Sequence, residues 1–375
     1  MRIVLAWELG GGGGHVTQLA AVAKSLRQHG AEPTLLASRP VDHWTQEPVK
    51  PAPRWEPART LMPTGTWADI LLDTCWREDV GPYLDAWRDC VAAEEPDVVV
   101  ADFAPSALVA ARRLGIPAVN VSHGFDVPPS AGDLPNLHAL AGMTDADRVD
   151  VRLGEKRVVD LLNAHVNEPI DRLADLYRDG PTVLTNRPTL DHFGPRSDGD
   201  YVGHFPGPEF PAPAWPDGAE PRVVGYLKPF PALRPLMHLL GATGLSTLAF
   251  VPGIEVQRTP PTLRPTAQPF HMATAARNAG LGICHAGVST VCTFLAAGLP
   301  MLLIPLTLEQ RILARRAEDL GVAVVVRPDD GEGMRAALQR LLTDDELTEA
   351  ARRQPALDPE AGLAKAVDVI RGAAG

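Results

Sequence analysis

The chain has 375 residues, 45% hydrophobic and 22% charged, with a formal net charge of −11. This length is more than one hydrophobic core usually serves and predicts two domains of roughly 200 residues or fewer, while the composition excludes extensive disorder. The acidic balance excludes a general nucleic-acid or anionic-membrane binder, leaving room for a local phosphate pocket. In chain order, residues 2–7 form the first predicted strand, followed by glycines and a helix over 15–29 with Leu19, Ala20, Ala23 and Leu26 as its apolar stripe and Gly30 as its stop. Residues 33–37, 97–101, 117–121 and 182–185 read as further strands, with a helix over 106–114 returning between two of them. From about 191 to 222 the chain turns to Pro, Gly and Asp, as suits a stiff connection. Alternation then restarts: strand 222–227, helix 232–240, strand 246–251, helix 272–278, strand 281–284, helix 290–297, strand 301–304, helix 309–320. A last helix over 359–374 carries Leu363, Ala366, Val367 and Ile370 on one face.

Alternation of this kind predicts an α/β protein of two parallel sheets flanked by helices, two Rossmann-like domains facing across a cleft. No stretch has the ~18 consecutive apolar residues that span a bilayer, and the chain begins on a buried-strand pattern instead of a signal peptide. Cys75, Cys90, Cys284 and Cys292 match no CxxC metal spacing and are too few for a disulfide framework, which points to reduced thiols in a cytoplasmic protein.

The densest chemistry lies in the second half: His285-Ala286-Gly287-Val288-Ser289-Thr290, then 297–305 with Gly298, Pro300 and Pro305, then Glu309-Gln310. A strand ending at Cys284 and a helix opening at Gly287 to Thr290 aim free N–H groups and a positive helix end at one spot, which suits a diphosphate. Ser289 and Thr290 add hydroxyl donors and His285 a donor to a phosphoryl oxygen; the bland alternative for Ser289 is a helix cap.

Residues 282–325 resemble the donor-binding signature of family 1 glycosyltransferases and their relatives, including the enzyme that adds N-acetylglucosamine in peptidoglycan synthesis. His285, Gly287, Thr290, Gly298, Pro300, Pro305, Glu309 and Gln310 match the pattern in order and spacing, while Ala286 and Ser289 replace its first and last glycines. The resemblance implies the GT-B fold, with residues 1–205 as an acceptor-binding domain, 206–221 as a Pro-rich linker, 222–358 as a nucleotide-sugar-binding domain, and 359–375 as a helix crossing back to the first domain. It also implies that Glu309 and Gln310 hold donor-sugar hydroxyls, although a first-turn Glu also suits a helix dipole. Phe270, in Gln268-Pro269-Phe270, stands where relatives contact the nucleobase, and Lys228 stands where they often carry Gly-Ser or Gly-Thr; it either reaches a phosphate or lies in solvent. UDP and TDP donors are not distinguished.

Five glycines, 10–14, follow the first strand. Every register of the dinucleotide fingerprint fails there, as does the Walker loop. Gly14-His15 resembles instead the Gly-His of family 1 enzymes, whose His is the general base, with Asp102 as the matching carboxylate. An imidazole near pKa 6.5 with an ionised partner on its second nitrogen suits proton removal, although His15 and Asp102 each also suit a helix cap. Gly13, Gly14, Glu8 and Asp126 are expected on the acceptor side, with Glu8 as an alternative base. His123 reads as a structural loop residue, and Trp44, Trp55, Trp67, Trp76 and Trp87 serve either as core or as an acceptor pocket.

No DxD-type pair stands beside the donor motif, and Asp329-Asp330 and Asp344-Asp345 come late; metal-independent, inverting transfer from a nucleotide sugar to a small-molecule acceptor, with no cofactor, is the expectation. A nucleotide-sugar epimerase of the same fold and a non-catalytic donor-binding subunit are the alternatives. Oligomeric state is not readable.

Overall fold

The computed structural model describes residues 1–11, 13–41, 44–54, 65–76, 79–254 and 259–375. These divide into two compact units, Met1–Pro206 with Asp358–Gly375, and Gly207–Leu357.

The first unit contains β1 (Arg2–Trp7), α1 (Gly14–Gln28), β2 (Glu32–Ala37), β3 (Val49–Pro51), α2 (Trp67–Thr74), α3 (Gly81–Ala92), β4 (Val98–Asp102), α4 (Pro105–Leu114), β5 (Ala118–Ser122), α5 (Leu137–Leu140), α6 (Val151–Asn163), β6 (Thr182–Leu184) and β7 (Asp200–Tyr201). Its sheet is parallel throughout, in the order β3-β2-β1-β4-β5-β6-β7. β4 and β5 are buried along their whole length, as expected of strands covered on both faces, and their near-continuous apolar runs made them legible. Val16, Leu19, Val22, Ala23 and Leu26 give α1 its buried stripe at helical spacing.

The second unit contains β8 (Ala219–Tyr226), α7 (Leu233–Ala242), β9 (Leu245–Phe250), β10 (Leu263–Thr266), α8 (Met272–Arg277), β11 (Leu281–Cys284), α9 (Val288–Ala296), β12 (Met301–Leu303), α10 (Leu308–Asp319), β13 (Ala323–Val325), α11 (Gly331–Thr343) and α12 (Asp345–Arg352). Its parallel sheet runs β10-β9-β8-β11-β12-β13. The expected connection over 206–221 is shorter than its Pro content implied, because β8 already begins at Ala219. Pro221 is accommodated by a shift of register between Ala219 and Val223, so its missing N–H falls where the ladder with β9 is interrupted.

The final helix, α13 (Pro359–Ala373), lies after the second unit in sequence and belongs to the first in space. Its Leu363, Ala366, Val367 and Ile370 share one core with Val16, Leu19 and Ala23 of α1 and Val98 and Val119 of the sheet. Gly362 allows the close approach: a Cβ there would stand 2.2 Å from the Val202 carbonyl oxygen.

Trp67, Trp76 and Trp87 are fully buried side chains, so these three are core and not an acceptor pocket; Trp55 lies outside the described residues. The indole N–H of Trp67 donates to the Phe125 carbonyl and that of Trp76 to the Ser106 hydroxyl. Among the described residues, no helix is long and apolar enough to cross a membrane.

Candidate active site

Each sheet reverses its strand order once, between β1 and β4 in the first unit and between β8 and β11 in the second. Ligands of doubly wound folds bind beyond the carboxyl ends of the strands at such a switch point, because the connections diverge there and leave a crevice. The candidate residues cluster at these two points.

In the first unit, His15 is the second residue of α1 and Asp102 the last of β4. His15 Nδ1 lies 2.6 Å from Asp102 Oδ1, and Gln18 Nε2 donates to Asp102 Oδ2 at 3.0 Å. Asp102 is completely buried, whereas the His15 side chain keeps 15% of its surface exposed. The ring stacks on Trp7, with centroids 5.8 Å apart, and meets His123 edge to face at 5.2 Å. Phe103, directly after Asp102, has a φ of 47°, an uncommon left-handed conformation for a bulky residue and one that concentrates at functional sites.

The glycines accommodate the chain's own rings. Gly10 has a φ of +86°, and a Cβ there would lie 2.6 Å from His15 Nε2. Gly13 precedes α1 as its cap, and a Cβ on it would enter the Trp44 indole at 2.1 Å. Gly13 is therefore approached by Trp44, while Gly14 opens the helix that carries His15.

Glu8 requires a second correction. It is 3% exposed and accepts from the Tyr83 hydroxyl, the Ser106 hydroxyl and the Ser106 N–H at 2.9, 2.6 and 2.8 Å. Burial raises its pKa to about 7 against these hydrogen bonds. Glu8 ties β1 to the start of α4 and is neither an exposed base nor an acceptor contact. Asp126 is also buried, accepting from the Ser122 hydroxyl at 2.8 Å and the His123 N–H at 3.1 Å through Oδ1, while Oδ2 has no hydrogen-bond partner. Burial, then Asp102, raises its pKa to about 7. Burial lowers that of His123 to about 4, leaving a neutral ring beside His15.

In the second unit, the N–H of Lys228, just past β8, donates to His285 Nε2 at 2.7 Å, and His285 Nδ1 donates to the Ile304 carbonyl at 2.7 Å. Both ring nitrogens are committed, and burial holds the pKa below the ordinary value, so His285 is a neutral strut between β8, β11 and β12. This corrects the expected donation from His285 to a phosphoryl oxygen. Ala286 replaces the family's glycine in the left-handed conformation that the turn needs, with a φ of 59°.

Gly287 caps α9 through no side chain, so Ser289 is not the cap; Ser289 and Thr290 sit half-buried in the first turn of α9. Thr307 caps α10, which places Glu309 and Gln310 in its first turn. Gln310 Oε1 accepts from the Leu306 N–H at 2.8 Å. Burial lowers the pKa of Lys228, and the negative charge of Glu309 opposes that shift. Phe270 is buried just before α8. Asp330 and Asp344 cap α11 and α12.

Gln18 and the closeness of His123 to His15 were missed from sequence. Gln18 carried a usable signal, standing one helical turn after His15 on the same face.

Residues 243–367 match the glycosyltransferase family 28 C-terminal domain. A PGL/p-HBAD biosynthesis glycosyltransferase of Mycobacterium tuberculosis is 26% identical over 317 residues, covering 72% of this chain and 69% of that one. The UDP-N-acetylglucosamine–N-acetylmuramyl-(pentapeptide) pyrophosphoryl-undecaprenol N-acetylglucosamine transferase of Desulforudis audaxviator is 31% identical over 162 residues, 41% of this chain and 43% of that one. Among solved structures, the calicheamicin glycosyltransferase CalG4 superposes with a TM-score of 0.71 at 22% identity, covering 99% of this chain and 98% of that one. The glycosyltransferase VinC in complex with dTDP superposes with a TM-score of 0.69 at 17% identity, covering 100% and 99%. From the matched domain, these relatives and the two parallel sheets together, the chain is a glycosyltransferase of GT-B fold.

Proposed function

We propose that this enzyme is an inverting hexosyltransferase that uses a UDP- or TDP-sugar and glycosylates a small-molecule acceptor, a natural product, with His15 as general base and no metal ion. The observation that carries the reading is the His15–Asp102 pair at the switch point of the first sheet, 2.6 Å apart, with Asp102 fully buried. In this reading the acceptor O–H gives its proton to His15 Nε2 as its oxygen attacks the anomeric carbon. Asp102 holds the Nδ1 proton, fixes the tautomer and stabilises the imidazolium that forms. The departing diphosphate is received by the N–H groups opening α9 and by the hydroxyls of Ser289 and Thr290, while Glu309 and Gln310 hold the sugar. Asp330 and Asp344, one residue of each late acidic pair, are engaged as caps of α11 and α12, which supports metal-free leaving-group stabilisation. The four cysteines form no disulfide among the described residues, which suits a reducing compartment such as the cytoplasm.

The test is His15→Ala assayed with UDP- and TDP-sugars against a natural-product acceptor panel by mass spectrometry. Transfer should fall roughly 10²- to 10⁴-fold with nucleotide affinity unchanged. Full activity in the variant would remove His15 as the base, and EDTA inhibition relieved by Mg²⁺ would remove the metal-free mechanism.

A further inference from the structure

His15 and His123 each present a ring nitrogen, and Asp102 a carboxylate oxygen, with the three donor atoms all within 4.8 Å of one another. They come from three separate elements of one unit: the start of α1, the end of β4 and the loop after β5. His123 is held in place through its backbone, whose N–H donates to Asp126 at 3.1 Å and whose carbonyl accepts from Asn186 Nδ2 at 2.8 Å. Two imidazoles and one carboxylate are the donor set of three-ligand zinc sites, which leave the fourth tetrahedral position to water. Tetrahedral bonds of roughly 2.0–2.2 Å hold donor atoms about 3.3–3.6 Å apart, wider than the 2.6 Å between His15 Nδ1 and Asp102 Oδ1 and inside the 4.8 Å that bounds the three, a difference that side-chain torsions of His15 and His123 can close. A divalent cation would also compensate the charge of Asp102, which is 0% exposed.

We propose that His15, Asp102 and His123 form a binding site for a zinc-class divalent transition metal, and that its occupancy reversibly inhibits transfer. The inhibition follows whichever nitrogen of His15 is the ligand. Coordination through Nε2 occupies the lone pair that takes the acceptor proton. Coordination through Nδ1 leaves the ring proton on Nε2, which then cannot accept another. Imidazole-rich sites prefer zinc to magnesium, so Mg²⁺ leaves the enzyme active. Binding is independent of the function proposed above; the inhibition rests on His15 being the base.

The experiment titrates ZnCl2 into the metal-free full chain by calorimetry and, in parallel, CoCl2 while recording the visible spectrum. One zinc per chain, a tetrahedral Co²⁺ band, and binding weakened at least about tenfold in His123→Ala but not in the surface variant His29→Ala are expected. Absence of binding and of the Co²⁺ band in the wild type overturns the site, and that result needs no folded variant. Equal zinc affinity in the wild type and His123→Ala also overturns it; His123→Phe serves where the alanine variant fails to fold. Zinc should abolish transfer and EDTA restore it. Zinc bound at this site with transfer intact would instead refute His15 as the base, leaving the binding site standing.

Discussion

The backbone N–H of Lys228 donates to Nε2 of His285 across the switch point of the second sheet, 2.7 Å away, while Nδ1 of the same ring donates to Ile304. One neutral imidazole thus fixes the chain leaving β8 and the chain leaving β12. His285→Ala would orphan both backbone groups and should destabilise the protein by roughly 2–5 kcal/mol in urea unfolding. Nucleotide affinity should fall with it, as measured by calorimetry on the folded variant. Because burial holds this pKa below the ordinary 6.5, the stabilisation is complete above that value and is lost as the pH falls toward the folded pKa.

Ala286 holds a φ of 59° beside that ring and is fully buried. Ala286→Val places a β-branched residue in the left-handed region and should cost about 2 kcal/mol or more. Ala286→Gly should stay within about 1 kcal/mol of the wild type, since relief of strain is offset by backbone entropy and lost methyl burial. Thermal melts of the three proteins decide this, and an Ala286→Val protein as stable as the wild type would refute the strain.

Gly10→Ala adds a methyl 2.6 Å from His15 Nε2 at a position of positive φ. It should reduce kcat by about tenfold or more through displacement of the imidazole, with the donor KM little changed. A changed donor KM at unaltered kcat would contradict this placement.

Glu8 has a pKa raised from 4.5 to about 7 by burial. A raised carboxyl pKa means that the folded state retains the proton more tightly than the unfolded chain, so this contribution is full below pH ~4.5 and is lost as the pH rises through ~7. Glu8→Gln mimics the protonated acid. Relative to the wild type, the variant should gain on the order of 3 kcal/mol between pH 4.5 and pH 8, read from urea midpoints at both pH values. A difference independent of pH would show that Glu8 is ionised in the folded protein.

Deleting residues 359–375 removes Leu363, Ala366, Val367 and Ile370 from the core of the first unit. The truncated chain should lose that unit's thermal transition and its transfer activity, while nucleotide binding by Gly207–Leu357 persists. The single change Ile370→Ala should cost roughly 2–5 kcal/mol. Unaltered turnover in the truncated protein would rule out α13 as a functional element.

The sequence alone determined the βα alternation, the strands Arg2–Trp7 and Leu281–Cys284 residue for residue, and the glycosyltransferase motif around 285–310. These are local properties: periodicity, apolar runs buried on both faces, and helix-opening small residues. It did not resolve the aromatic region before β4, because a Trp stripe has the same spacing whether it lines a pocket or a core; only packing places Trp67, Trp76 and Trp87 inside. Nor could it assign His285 and Glu8, since a polar residue at a strand end is read as chemistry until its hydrogen-bond partners are known. Those partners, Ile304 and Lys228 for His285 and Tyr83 and Ser106 for Glu8, lie 19 to 98 residues away. The meeting of His15 and Gln18 with Asp102, and of His15 with His123, is likewise a product of strand order, which sets β1 beside β4 and β4 beside β5. Strand order is decided by the collective burial of the sheet faces, and no short window of sequence contains it.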